Sequence, residues 1–246
     1  METYTDDYLL DKKVKIFQPT NGYRASSDAV ILSSLIDEKL VRGGDEILDV
    51  GSGTGAISLC LAKRLKHKSV RLTGLDIQSE LVELSNKSAT VNNFADFLHY
   101  EHFDIREKTS LQGGSFDWVI TNPPYSDHDM PSPNPSKKIA HNHQGFDLES
   151  WLSFCLKMLK PKGHVLLINR AEAINEILSA MYNKAGGIQI LPIYSKVGQD
   201  AKRVAVIAQK GSRGISKILP PFYTHNADST YTTKAQQILR EGLGYF

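Results

Sequence analysis

The feature that most constrains this chain is a glycine run lodged between a short apolar stretch and a helical one. Residues 46–51 read EILDVG, and residues 54–65, TGAISLCLAKRL, carry apolar side chains at helical spacing. Together they predict a strand, a tight turn and a helix. The alternation then repeats. Strands are expected at 70–77 (VRLTGLDI), 97–105 (FLHYEHFDI) and 115–122 (SFDWVITN), with a helix near 78–91. After residue 147 follow a helix (DLESWLSFCLKMLK), a strand (GHVLLIN), a helix (AEAINEILSAMYNK) and two strands, GIQILPIY and RVAVIAQK. Strands alternating with helices predict an α/β fold, a doubly wound, mainly parallel sheet with helices on both faces. The last two strands have no helix between them, so an antiparallel pair is expected to close one edge.

Two stretches break the pattern. Residues 126–145, SDHDMPSPNPSKKIAHNHQG, are rich in Pro, Ser, Asn and charge and are expected to form a long mobile loop. The segment from residue 211 onward begins as a basic loop and is expected to end in a short helix. No repeat or interdomain linker is visible, so residues 1–246 are expected to form a single domain. No apolar run is long enough to cross a bilayer, and the acidic N-terminus METYTDDYLL lacks the pattern of a secretory signal. Only Cys60 and Cys155 are present, each on an apolar helix face. That excludes a disulfide framework and a cysteine-rich zinc site, and a cytoplasmic location is expected.

In Asp49-Val50-Gly51-Ser52-Gly53-Thr54-Gly55 the glycines stand where a side chain would keep a ligand from the backbone, which suits a nucleotide-like cofactor. Gly51, Gly53 and Ala56 also satisfy the looser dinucleotide fingerprint, so an NAD-dependent oxidoreductase is a rival reading. Asp76 ends the next strand, 21 residues after Gly55, where a carboxylate accepts ribose hydroxyls; Ile77 follows it as a further cofactor contact. Asp49 would repel a pyrophosphate but suits a ligand carrying an ammonium group. S-adenosylmethionine has that ammonium, and its adenine amine could be accepted by Asp104 at the end of the third strand. Three acids at three successive strand ends then have three partners.

Directly after the fourth strand stands Asn122-Pro123-Pro124-Tyr125. The prolines restrict the backbone and remove two amide donors, leaving a rigid cluster of acceptors. The Asn122 side-chain oxygen and the Pro123 carbonyl can each accept a hydrogen from a planar amine. Those bonds improve as the nitrogen becomes tetrahedral, so they stabilise the transition state more than the ground state. Tyr125 can stack on a flat substrate.

These residues resemble class I S-adenosylmethionine-dependent methyltransferases of the amino-group type, with DVGSGTG as cofactor loop and NPPY as catalytic motif. More closely, the chain is similar to the tRNA valine adenine-37 N6-methyltransferase family. The likeness spans QPTNGYRASSDAVIL, the NPPY loop, KKIAHNHQGFDLESWLSFCLKMLKPKGHVLLI and PPFYTHNADSTYTTKA. It implies a seven-stranded Rossmann-like sheet with an antiparallel edge strand. It also implies that residues 1–45 close over the cofactor, with Tyr23 and Asp28 helping, and that Asn122, Pro123 and Tyr125 hold the target amine. The Pro-Ser-rich linker after Tyr125 departs from the pattern and bears on substrate choice.

Residues 157–217 carry eleven Lys/Arg against three Asp/Glu, whereas residues 1–150 carry sixteen against twenty-two. Such segregation favours a polyanionic partner. The function expected is N6-methylation of an unstacked adenine in structured RNA, in the first instance a tRNA anticodon-loop adenine 37. The same chemistry could serve a protein glutamine amide or DNA adenine, and a non-catalytic nucleic-acid-binding module is the rival of a different class. Lys137, Lys138, Lys202 and Arg203 are candidates for RNA contact. His128, His141 and His143, with Asp127 and Asp129, lack metal-ligand spacing and are read as solvated loop residues, so no metal is expected. Trp118 and Trp151 are read as packing residues.

Overall fold

The computed structural model describes residues 4–22, 24–107, 111–124 and 147–246. Its main sheet contains β3 (Glu46–Val50), β4 (Arg71–Asp76), β5 (Leu98–His102), β6 (Phe116–Thr121), β7 (Leu159–Arg170), β8 (Ala185–Tyr194) and β9 (Arg203–Lys210). The short strands β10 (Lys217–Ile218) and β11 (Phe222–Tyr223) both pair with β8. Across the sheet the order is β10-β8-β9-β7-β6-β3-β4-β5. The seven long strands are those expected from the sequence. The antiparallel pair is β8 and β9, but the reversed strand, β9, lies inside the sheet between β7 and β8, with β8 outermost of the seven long strands.

Helices α1 (Ser27–Ser34), α2 (Ala56–Leu65) and α3 (Ser79–Val91) cover one face, and α4 (Leu148–Met158) and α5 (Ile174–Met181) the other. Strand pleating distributes the side chains: Ile47, Leu166 and Ile168 enter the core beneath α1 and α2, while Leu48, Val165 and Leu167 enter the core beneath α4 and α5. All six are essentially inaccessible to solvent. Continuous apolar runs such as VLLI in β7 are thus explained by burial on both faces. Cys60 and Cys155 are buried, free thiols, and burial pushes the Cys60 thiol up to about 12.

The first 45 residues hold an element that the sequence pattern did not indicate. β1 (Tyr4–Leu9) and β2 (Val14–Pro19) form an antiparallel hairpin apart from the main sheet. Asn92 locks it to α3, accepting from the Lys15 amide at 2.9 Å and donating to the Lys15 carbonyl at 2.6 Å. The Ser88 hydroxyl accepts from the Phe17 amide at 3.0 Å. At the other end of the chain, α6 (Thr233–Gln236) is capped by Thr232, whose hydroxyl accepts from the Ala235 amide. Among the described residues no helix is long and apolar enough to cross a membrane.

Candidate active site

The carboxyl ends of β3, β4 and β6 meet around a cavity of about 500 Å³, where ligands bind in open α/β sheets. The turn after β3 is drawn over β4: the Gly51 and Ser52 amides both donate to the Leu75 carbonyl at 2.9 Å. Gly51 has φ +71°, and a Cβ there would lie 2.8 Å from the Trp151 ring. Gly53, also at positive φ, donates its amide to Asp76 Oδ2 at 2.8 Å. Gly51, Ser52, Gly53 and Asp76 all border the cavity.

Asp76 is the hub of this arrangement. Its Oδ1 accepts from the Gln78 amide at 2.9 Å, so each oxygen holds one backbone amide and keeps capacity for another donor. Burial raises its carboxyl above the ordinary range, against the lowering effect of those amides. Ile77 lines the cavity beside it. Asp104, at the end of the next strand loop, also lines the cavity. Its carboxylate is engaged by the Arg106 guanidinium, with Nε 2.8 Å from Oδ1, and by the Arg106 amide at 2.9 Å. An adenine amine at Asp104 would therefore share that carboxylate with Arg106.

Two expected contacts sit behind the cavity wall. Asp49 is 1% exposed and does not border the cavity; its Oδ2 accepts from the Ser58 hydroxyl at 2.6 Å. Its Oδ1 and the Ser52 hydroxyl are buried without a hydrogen-bond partner among the described residues. Burial pushes the Asp49 carboxyl up to about 7. Gly55 caps α2 in the left-handed conformation, and a Cβ there would lie 2.5 Å from the Tyr100 hydroxyl, which donates to the Gly55 carbonyl. The left-handed backbone and that close packing both call for glycine at this position.

The Asn-Pro-Pro segment leaves β6 at the cavity rim, and Asn122, Pro123 and Pro124 all line it. Tyr125, Tyr23 and residues 126–145, including Lys137, Lys138 and the three loop histidines, lie outside the described residues. Asp28 does not border the cavity; its Oδ2 accepts from Arg203 Nε at 2.9 Å. That pair ties the start of α1 to the start of β9, so Arg203, read from sequence as an RNA contact, is engaged in the scaffold.

Sequence reasoning missed three contributors. Trp151, read as packing, borders the cavity and hydrogen-bonds to Thr121, the residue before Asn122. Tyr100 buttresses the loop, and Arg24 brings the segment before α1 to the rim, held by Asp7 at 2.6 Å. Only the first carried a readable signal: its helix is the next one expected after the NPPY motif.

A family model described as methyltransferase small domain matches residues 26–186, about two thirds of the chain. The chain belongs to the methyltransferase small domain family. Relatives of this methyltransferase include tRNA1(Val) (adenine(37)-N6)-methyltransferases from Dyadobacter fermentans, 30% identical over 62% of this chain and 60% of that protein, and Phocaeicola vulgatus, 28% identical over 80% and 81%. A third, from Aeromonas hydrophila, is 25% identical over 87% of this chain and 88% of its own. Among solved structures, a predicted O-methyltransferase from Agrobacterium tumefaciens, Atu636, superposes with TM-score 0.72 at 25% identity, covering 89% of this chain and 98% of that one. A Thermus thermophilus 16S rRNA N2 G1207 methyltransferase shares the fold, with TM-score 0.59 at 18% identity over 84% and 50%.

The cofactor of the methyltransferase is S-adenosylmethionine. The residues present fit it. Glycines open the backbone at the turn, Asp76 offers acceptors for ribose hydroxyls, and apolar Ile57, Leu75, Ile77 and Phe103 give the cavity walls for a flat base. Ser52, whose hydroxyl has no hydrogen-bond partner among the described residues, borders the cavity at the same turn and has capacity for a polar ligand end.

Proposed function

We propose that this protein transfers a methyl group to the N6 amine of an adenine in structured RNA, specifically an anticodon-loop adenine 37 of a tRNA. The observation that carries the reading is the position of Asn122, Pro123 and Pro124 on the wall of the same cavity that Asp76, Gly51 and Gly53 border. The named activity of the curated relatives supports the choice of adenine and of tRNA. When bound, S-adenosylmethionine supplies an electrophilic methyl on a sulfonium.

Gly51, Gly53, Asp76, Ile77 and Asp104 hold that cofactor, and Asp49 supports the turn from behind the cavity wall. Asn122 Oδ1 and the Pro123 carbonyl orient the amine by accepting its two hydrogens, leaving the nitrogen lone pair free to attack. Both prolines lack an amide N–H, so nothing at Pro123 or Pro124 competes for the acceptors. As the nitrogen gains positive character the hydrogen bonds that it donates to those oxygens strengthen, and the proton lost afterwards needs no strong base. Tyr125 stacks on the base and Tyr23 closes the cofactor side, while Asp28 holds the start of α1 to β9 through Arg203.

The adenine must be unpaired to reach the cavity, because a paired N6 amine is already hydrogen-bonded and stacked. The test compares an unmodified anticodon stem–loop with versions carrying guanine at position 37 or adenine only within the stem. Methyl transfer confined to the first supports the reading; transfer to the stem adenine, or to none while a protein glutamine amide is methylated, contradicts it.

A further inference from the structure

We propose that the end of β8 and the loop folded against it form a second RNA-contact surface, which stacks and anchors unpaired nucleotides beside the target base. This inference rests on the RNA reading above and adds to it a location and a set of side chains. β8 runs parallel to β7, and β7 to β6, so Tyr194 emerges at the same end of the sheet as Asn122. Between them lie β9 and β7, three strand spacings or about 14 Å across the sheet.

The chain returns to that end through residues 222–232. The Thr224 and His225 amides donate to the Tyr194 and Ser195 carbonyls, each at 3.0 Å. Lys196 Nζ donates to the Ser229 hydroxyl at 2.6 Å and closes the loop. Two aromatic pairs result, Tyr194 with Tyr223 at 5.2 Å between ring centroids, and His225 with Tyr231 at 4.8 Å. None of the four is fully buried, and Tyr231 is 36% exposed with the Arg240 guanidinium 5.8 Å from its ring.

Cations border the same end. Arg203 opposes Ile193 in the β8–β9 ladder, so one further step brings exposed Lys202 level with Tyr194. The surrounding segment 157–217 is the strongly basic part of the chain. Partly open aromatic rings bordered by lysine and arginine match unpaired nucleotides, whose bases stack and whose phosphates pair with cations. An acidic peptide would match the cations but offers no run of flat bases to stack on the rings.

The test measures binding of the full-length protein to a fluorescent anticodon stem–loop, alongside S-adenosylhomocysteine affinity and melting temperature. Tyr231→Ala is expected to weaken RNA binding about tenfold, as one base–aromatic stack does, and Tyr231→Phe to retain it, with S-adenosylhomocysteine affinity unchanged in both. Lys202→Gln is expected to lower the slope of log affinity against log salt by about one. The surface is refuted if wild type binds and methylates the stem–loop while Tyr231→Ala, folded and cofactor-competent, binds it equally well. Failure of wild type to bind any RNA would instead overturn the RNA reading itself, and this surface with it.

Discussion

Trp151 Nε1 donates to Thr121 Oγ1 at 2.9 Å, and the same hydroxyl donates to the Val50 carbonyl at 2.8 Å. One buried relay therefore joins α4, the end of β6 that precedes Asn122 and the end of β3 that precedes Gly51. The acceptor cluster and the cofactor turn are held in register through a side chain that the sequence reading assigned to packing. Trp151→Phe leaves the Thr121 hydroxyl without its donor and withdraws the outer edge of the indole from Gly51. We expect turnover to fall about three- to tenfold, the value of one hydrogen bond. Steady-state kinetics check it: an unchanged kcat would remove the relay from catalysis.

Asn122→Ala deletes the side-chain acceptor but leaves Asp76 and the glycine turn untouched. Turnover should drop at least about tenfold while S-adenosylhomocysteine affinity stays within about twofold, because the lost bond strengthens only as the nitrogen changes charge. Calorimetry and single-turnover rates on one preparation separate the two; a parallel loss of affinity would place Asn122 on the cofactor side.

Asp76→Ala removes the acceptor of both the Gly53 and Gln78 amides as well as the carboxylate proposed for the ribose. S-adenosylhomocysteine binding is expected to weaken more than tenfold. Asp76→Asn, which retains one acceptor oxygen, should fall between. Equal binding by wild type and Asp76→Ala contradicts the assignment.

Asp49 has a carboxyl pushed up to about 7 in the folded protein by burial, against about 4 in an unfolded chain. Between those values the native state binds the extra proton, so the stabilisation is complete below about pH 4 and lost as pH rises to about 7. The loss is at most roughly 4 kcal/mol and levels off beyond that point. Melting of the cofactor-free protein between pH 4.5 and 8 should therefore fall with pH more steeply for wild type than for Asp49→Asn. Parallel curves would mean that Asp49 does not titrate in this window.

Gly74→Ala tests the buttress beneath the turn. A Cβ at Gly74 would lie 2.2 Å from the Tyr100 ring, which is buried and fixed to the Gly55 carbonyl, so the ring has to move. We expect destabilisation of about 1–3 kcal/mol, or several degrees of melting temperature, as overpacking costs. Tyr100→Phe in the same background should recover little, since the clash is with the ring.

The sheet was legible because its strands are buried on both faces: EILDV and VLLI leave no other period, and each is followed by a helix with a clear apolar stripe. The hairpin at 4–19 was not, because YTDDYL is half-exposed and polar, and its attachment depends on Asn92 and Ser88, some seventy residues away. In the site, Gly51, Gly53, Asp76 and Asn122 were readable from motif and strand position. Burial was not: nothing local to Asp49 shows that its carboxylate faces Ser58 rather than the cavity, or that Gly55 answers to Tyr100. Nor does the sequence show that Arg203 is occupied by Asp28, a pairing across 175 positions.

The most direct measurement is methyl transfer from labelled S-adenosylmethionine to unmodified bulk tRNA, duplex DNA and a protein extract in parallel, with the labelled products digested and identified by mass spectrometry. The account predicts N6-methyladenosine in a tRNA anticodon loop, lost with Asn122→Ala. Label in protein glutamine or in DNA adenine, with tRNA unlabelled, would contradict it.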